Sequence, residues 1–141
     1  MKEILLLVTI LISSLGSPNE EFVYPENPYE GKVLSSVQSW KVDSDKYSYE
    51  LDPKLCDRAV ERSIEIQSDW SHNGFEKYSY DDTFVMNGEN LAKSYEDPSL
   101  VLDAWLNSPT HKKILEEDFT NACIKCSIAE GNYYCAAEFG K

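Results

Sequence analysis

Asn87-Gly88-Glu89-Asn90-Leu91-Ala92 places one acidic side chain between a flexible glycine and the start of an apolar run. The chain has two histidines, one on either side of this stretch: His72 in Ser71-His72-Asn73-Gly74, and His111 in Ser108-Pro109-Thr110-His111. All three groups stand beside turn formers. Two imidazoles and a carboxylate supply lone pairs and titrate at accessible pH, so they are the raw material of a metal site or an acid/base site. The rest of the chain reads as the scaffold that brings them together.

Moving outward toward the C-terminus, Asp97-Pro98 opens a helix with Leu100, Val101, Ala104 and Trp105 on its buried face, since Asp caps orphan N–H groups and proline fits the first helical turn. Ser108-Pro109 repeats the signal for a short helix carrying His111, Ile114 and Leu115. His111 then lies in a first turn, where the helix dipole disfavours a protonated ring. Ala122 to Ile128 and Tyr133 to Phe139 are β-prone and flank Glu130-Gly131, the signature of a two-residue hairpin loop. In that register Cys126 faces Cys135 at a non-hydrogen-bonded position, where side chains approach most closely and a disulfide fits.

Toward the N-terminus, Phe84-Val85-Met86 reads as a short buried strand or extended segment, and Phe75 to Asp82 as a surface loop whose aromatics, Phe75, Tyr78 and Tyr80, are exposed. Asp52-Pro53 starts a helix running to about Asp69. Leu55, Cys56, Ala59, Val60, Ser63, Ile66 and Gln67 form its inward stripe, with Asp57, Arg58, Glu61 and Arg62 facing out. Val33, Leu34, Val37 and Trp40 recur at helical steps and predict a first helix from Val33 to Val42.

Cys123 is an odd number of residues from Cys126 and points to the other face of the sheet, so it can staple to Cys56 on the inward stripe of the Asp52-capped helix. Four cysteines allow three pairings, and Cys123-x-x-Cys126 as a metal or redox pair is the competing idea. An even count behind a secretion signal favours Cys56–Cys123 and Cys126–Cys135.

That signal is residues 1–16: Lys2, an apolar run from Ile4 to Ile12, then Ser14-Leu15-Gly16 as the cleavage site. The run is about nine residues, short of the roughly 20 that span a bilayer. Glu3 weakens its basic start, so an uncleaved anchor is the alternative. Residues 17–32, with Pro18, Pro25 and Pro28, read as an extended lead-in, and 33–141 as the domain.

The 141 residues, 42% of them hydrophobic, supply one core and are too few for two domains. With 13 basic and 25 acidic residues the net charge is -12, a surface that repels nucleic acid and anionic lipid headgroups, so neither is expected as a partner. The acidity attracts cations or basic partners, or serves solubility alone.

Ser71-His72-Asn73-Gly74, Gly88-Glu89-Asn90-Leu91-Ala92, Trp105-x-x-Ser108-Pro109-x-His111, Tyr133-Tyr134 and Phe139-Gly140 together resemble the CAP superfamily: the cysteine-rich secretory proteins, antigen 5 and the plant pathogenesis-related proteins, which share the SCP domain. The resemblance covers Val33 to Lys141, in the shorter form similar to compact bacterial relatives. It implies an α+β fold, a three-layer α-β-α sandwich with a small antiparallel sheet, stapled here by disulfides. It also implies a cleft, with His72, Glu89 and His111 at the family's cleft positions. Ser108 stands where eukaryotic members often carry a second glutamate, which removes one ligand and one candidate base.

The expectation is a secreted, extracellular, monomeric binding or effector module without turnover, and with no transmembrane segment in the mature chain. It requires no cofactor, its His72, Glu89 and His111 can take Zn²⁺ or another divalent cation, and the resemblance implies a lipid, a sterol or an extracellular protein as ligand. The alternative is a metal-dependent hydrolase or peptidase using the same three residues, though no HExxH pair is present and Ser71 and Ser108 read as turn and cap. The third reading is a structural extracellular domain in which Glu89 hydrogen-bonds both imidazoles.

Overall fold

The structure, a computed structural model, describes residues 27–45 and 47–141. The leader expected at 1–16, and the lead-in as far as residue 26, lie outside the described residues. Helix α1 runs from Pro28 to Asp45. Asn27 Oδ1 accepts the Glu30 N–H at 2.7 Å, and proline occupies the first helical position. Residues 28–32, expected as extended lead-in, are therefore the first turn of this helix, and Tyr29 already belongs to the core.

After a two-residue strand β1 (Glu50–Leu51), α2 (Pro53–Glu65) starts where Asp52 accepts the N–H groups of Lys54 and Leu55. A 3₁₀ helix, Asn73–Tyr80, takes the place of the expected loop. Strand β2 (Asn87–Lys93), α3 (Ser99–Leu106), α4 (Pro109–Glu116), β3 (Asn121–Ala129) and β4 (Asn132–Gly140) complete the chain.

The strand order is β1-β3-β4-β2. The hairpin pairs Ala129 with Asn132 and Cys126 with Cys135, as the sequence predicts. Glu130 (φ 52°) and Gly131 (φ 78°) are both left-handed, the pair a primed two-residue turn demands and whose twist matches the strands. β2 is antiparallel to β4, while the short β1 runs parallel to β3, a pairing the sequence does not announce.

One face of the sheet offers Ala92, Ala122, Ile124, Cys126, Cys135, Ala137 and Phe139 to Tyr29, Val33, Val37, Val101, Trp105, Leu115 and Phe119. The other face offers Leu91 and Ala136 to Ile66 beyond the end of α2. This is the α-β-α sandwich, and the strand period of two divides the residues between its layers. Cys126–Cys135 lies on the first face and Cys56–Cys123 joins α2 to the second. Past the end of β1, the exposed edge of β3 is sealed by α1: Cys126 N–H donates to Glu30 Oε1 at 2.7 Å, and Asn27 Nδ2 donates to the Cys126 carbonyl at 3.1 Å.

Some side chains sit differently from the sequence reading. Val85 is 95% exposed instead of buried, because β2 begins only at Asn87. Leu100 is exposed on α3. Phe75 and Tyr78 are half-buried, and the Tyr78 hydroxyl donates to Glu61 at 2.5 Å; the side chain of Tyr80 lies outside the described ones.

Candidate functional site at the open edge of the sheet

β2 is the last strand of the sheet, and its free edge forms the floor of a cleft. Met86 pairs with Lys141 and Ser94 with Tyr133, so the even-numbered residues between them turn their backbone toward β4. Asn87, Glu89 and Leu91 therefore turn theirs outward. The Leu91 carbonyl accepts from Trp105 Nε1 at 2.8 Å, which closes that end. The remaining edge opens into a cleft of about 310 Å³ lined by His72 and Phe75 on one side and Thr110, His111 and Ile114 on the other, with Asn87 to Asn90 between. His72, Glu89 and His111 thus border one cleft.

Glu89 faces α2, where Arg62 meets it. Arg62 is 1% exposed, and its Nε and Nη2 donate to Glu89 Oε2 and Oε1 at 2.8 and 3.0 Å. Nη2 also reaches the Ser71 carbonyl at 2.7 Å, and Nη1 reaches Glu65 Oε2 at 2.7 Å. Gly74 is required here by close approach: a Cβ on it would lie 2.1 Å from Arg62 Nη1 and 2.0 Å from Glu65 Oε2. The glycine after His72, a turn former in the sequence, makes room for an ion pair.

His72 Nδ1 lies 2.9 Å from Glu89 Oε1, on a side chain that is 58% exposed. Burial alone would raise the Glu89 pKa. Its hydrogen bonds to His72 and Arg62 outweigh that and hold the carboxyl below its ordinary value. Directly across the ladder stands Glu138, fully buried, where its carboxyl meets that of Glu89 and neither oxygen has a cationic or amide donor among the described residues. Burial first, and the Glu89 charge second, push its pKa well above the ordinary glutamate value. Glu138 is therefore a neutral acid beside an ionised one.

His111 is held differently. Its Nδ1 lies 2.8 Å from Ser108 Oγ, and its carbonyl accepts from Asn90 Nδ2 at 3.1 Å. Ser108 occupies the N-cap position of α4, but its hydroxyl makes no cap bond and engages the imidazole instead. Burial, then the neighbouring His72, lower the His111 pKa, so the ring is neutral at pH 7.

The residues that organise the cleft are Arg62, Arg58 and Glu138. Arg58, expected to face out, is buried and donates to Asn87 Oδ1 at 2.6 Å and Asp81 Oδ2 at 2.9 Å, fixing the start of β2. The signal for Arg62 is in the spacing. Leu55, Ala59, Arg62 and Ile66 follow one another at steps of four and three along a single helical stripe, and all are buried. Glu138 is a lone acid in the apolar run Cys135-Ala136-Ala137-Glu138-Phe139.

A divalent cation does not fit these groups as they stand. Both Glu89 oxygens already accept from Arg62, so the one carboxylate among His72, Glu89 and His111 has its charge balanced before any ion arrives. Among the described residues no three His, Cys, Asp or Glu side chains are placed to hold a metal ion.

A three-layer sandwich with this strand order, and with a cleft at the free edge of the strand carrying Gly88-Glu89-Asn90, has a CAP-like fold. An outer surface protein from Borrelia burgdorferi is 23% identical and superimposes with a TM-score of 0.72, over 84% of this chain and 96% of its own. An extracellular protein containing a SCP domain from Bacillus anthracis str. Ames is 21% identical, with a TM-score of 0.64 over 86% of this chain and 45% of its own. A cysteine-rich secretory protein from Staphylococcus aureus subsp. aureus Mu50 is 13% identical, with a TM-score of 0.66 over 87% of this chain and 42% of its own. At these identities the likeness is one of fold. No family model and no curated protein matches the sequence.

Proposed function

We propose that the chain is a secreted, extracellular CAP-type binding module that holds a ligand in the His72/His111 cleft without turning it over. One observation carries the absence of turnover: the carboxylate of the cleft is already engaged. Glu89 is bound by Arg62 and His72. A general base needs a free lone pair within reach of a substrate proton, and a carboxylate held below its ordinary pKa by two cationic or polar partners is a poor one. An extracellular setting is supported by the leader expected at residues 1–16 and by four cysteines all joined in disulfides. No described helix is long and apolar enough to cross a membrane.

Of the ligands that the CAP resemblance implies, an extended protein segment is favoured by the floor, a free strand edge with outward-facing peptide groups. The exposed walls, Phe75 and Ile114 among them, are more apolar than polar. The net charge of -12 favours a basic partner. The metal-dependent hydrolase, the competing reading, would need Glu89 released from Arg62.

Glu89→Gln separates the two. The variant and the wild type are to be compared for binding to basic extended peptides and to cholesterol-containing vesicles, and for peptidase and esterase turnover with added zinc. Retained binding in the variant, with turnover in neither protein, supports the module. Wild-type turnover that Glu89→Gln abolishes makes it a hydrolase.

A further inference from the structure

We propose that Arg62 is the resident cation of the cleft, standing in for a metal ion and making the module independent of divalent cations. The proposal holds whatever ligand the cleft takes. The guanidinium gathers four oxygen acceptors, Glu89 Oε1, Glu89 Oε2, Glu65 Oε2 and the Ser71 carbonyl, at 2.7 to 3.0 Å. This is the work of a structural cation: it joins α2, the turn before His72, and strand β2 at one buried point. Through Ser71 it fixes the turn that carries His72. Through Glu89 it fixes the partner of the His72 ring.

Three features make the guanidinium hard to displace. It is 1% exposed, so it has no water to retreat into. A divalent ion that captured Glu89 would leave Arg62 with Glu65 as its remaining carboxylate partner and set two positive charges against one shared carboxylate, which is unfavourable for both cations. Each of the three guanidinium nitrogens is tied to at least one oxygen, so displacement would break all four bonds at once. From the cleft side the ion would meet only the His72 and His111 imidazoles and a carboxylate whose charge is already balanced. The imidazoles alone make a weak site for zinc, which in structural sites takes four ligands.

The experiment is zinc chloride titration by calorimetry on the oxidised wild type, on Arg62→Gln, and on each in a His72→Ala/His111→Ala background, with thermal unfolding in zinc and in chelator alongside. The wild type is expected to show no saturable binding that depends on the histidines, and no change of midpoint between zinc and chelator. Arg62→Gln is expected to gain one-to-one binding that the double histidine replacement abolishes, with a midpoint that rises in zinc. Arg62→Lys, which keeps the charge but not the fork, is expected to gain none. If Arg62→Gln is unfolded without metal, refolding on zinc addition is read by circular dichroism, and failure to refold counts against the proposal. Histidine-dependent one-to-one zinc binding by the wild type overturns it, as does a folded Arg62→Gln that gains no zinc.

Discussion

Two neighbouring glutamates with opposite protonation define the residue scale. Glu138 has a folded pKa above its unfolded one, so its contribution to stability is complete below the ordinary glutamate value and is lost as pH rises toward the folded value. Over that window the unfolded chain has released a proton that the fold retains, which lowers stability by about 1.4 kcal/mol per pH unit. Glu89 behaves oppositely: its folded pKa is lowered, so its contribution is present above the unfolded value and lost on acidification. Glu138→Gln removes the first slope and leaves the Glu89 carboxylate bonded to Arg62 and His72. Urea unfolding from pH 4 to 7 is expected to show the variant gaining on the wild type as pH rises, and a constant difference would mean that Glu138 is ionised in the fold. Gly74→Ala tests the ion pair next to it. The added Cβ must push Arg62 and Glu65 apart, for an expected loss of about 1–3 kcal/mol, readable from the same urea midpoints.

At the scale of elements, cap chemistry is legible in the sequence and the membership of helix faces less so. Asp52-Pro53 and Ser108-Pro109 both mark real helix starts, and Asn27-Pro28 carries the same signature in a proline-rich stretch that reads as extended. Asp52→Ala removes two side-chain bonds to orphan N–H groups, and a loss of about 1 kcal/mol is expected in chemical denaturation. The inward stripe of α2 reads correctly at Leu55, Ala59 and Ile66, but charge overrides periodicity at Arg58 and Arg62. The partners that allow burial lie more than 20 residues away in sequence, Asp81 and Asn87 for Arg58 and Glu89 for Arg62, and only Arg62 carries a local signal, its place on the stripe of Leu55, Ala59 and Ile66. The same holds for the 3₁₀ helix. Tyr78 is half-buried, with Arg58 4.7 Å from its ring centroid, a contact no local pattern announces.

For the whole molecule, the hairpin and both disulfides are legible because the strand period fixes which cysteines share a face. The parallel pairing of β1 is not, since two residues carry no period. The two bridges close chain loops of very different span, with separations of 67 and 9 residues. Loop-closure entropy then predicts losses of about 4 kcal/mol for Cys56→Ser/Cys123→Ser and about 3 kcal/mol for Cys126→Ser/Cys135→Ser, measured as differences in unfolding free energy. Equal losses would point to strain or residual structure in the unfolded chain.

Both bridges end on β3, one reaching α2 and the other β4, while β2 has no covalent tie to any neighbour. Amide hydrogen exchange should therefore be graded across the sheet, slowest in β3 and β4 and fastest along the edge that carries Glu89. The floor of the cleft is then the strand with the greatest freedom to breathe, and a bound ligand should register first as slowed deuterium uptake from Asn87 to Leu91.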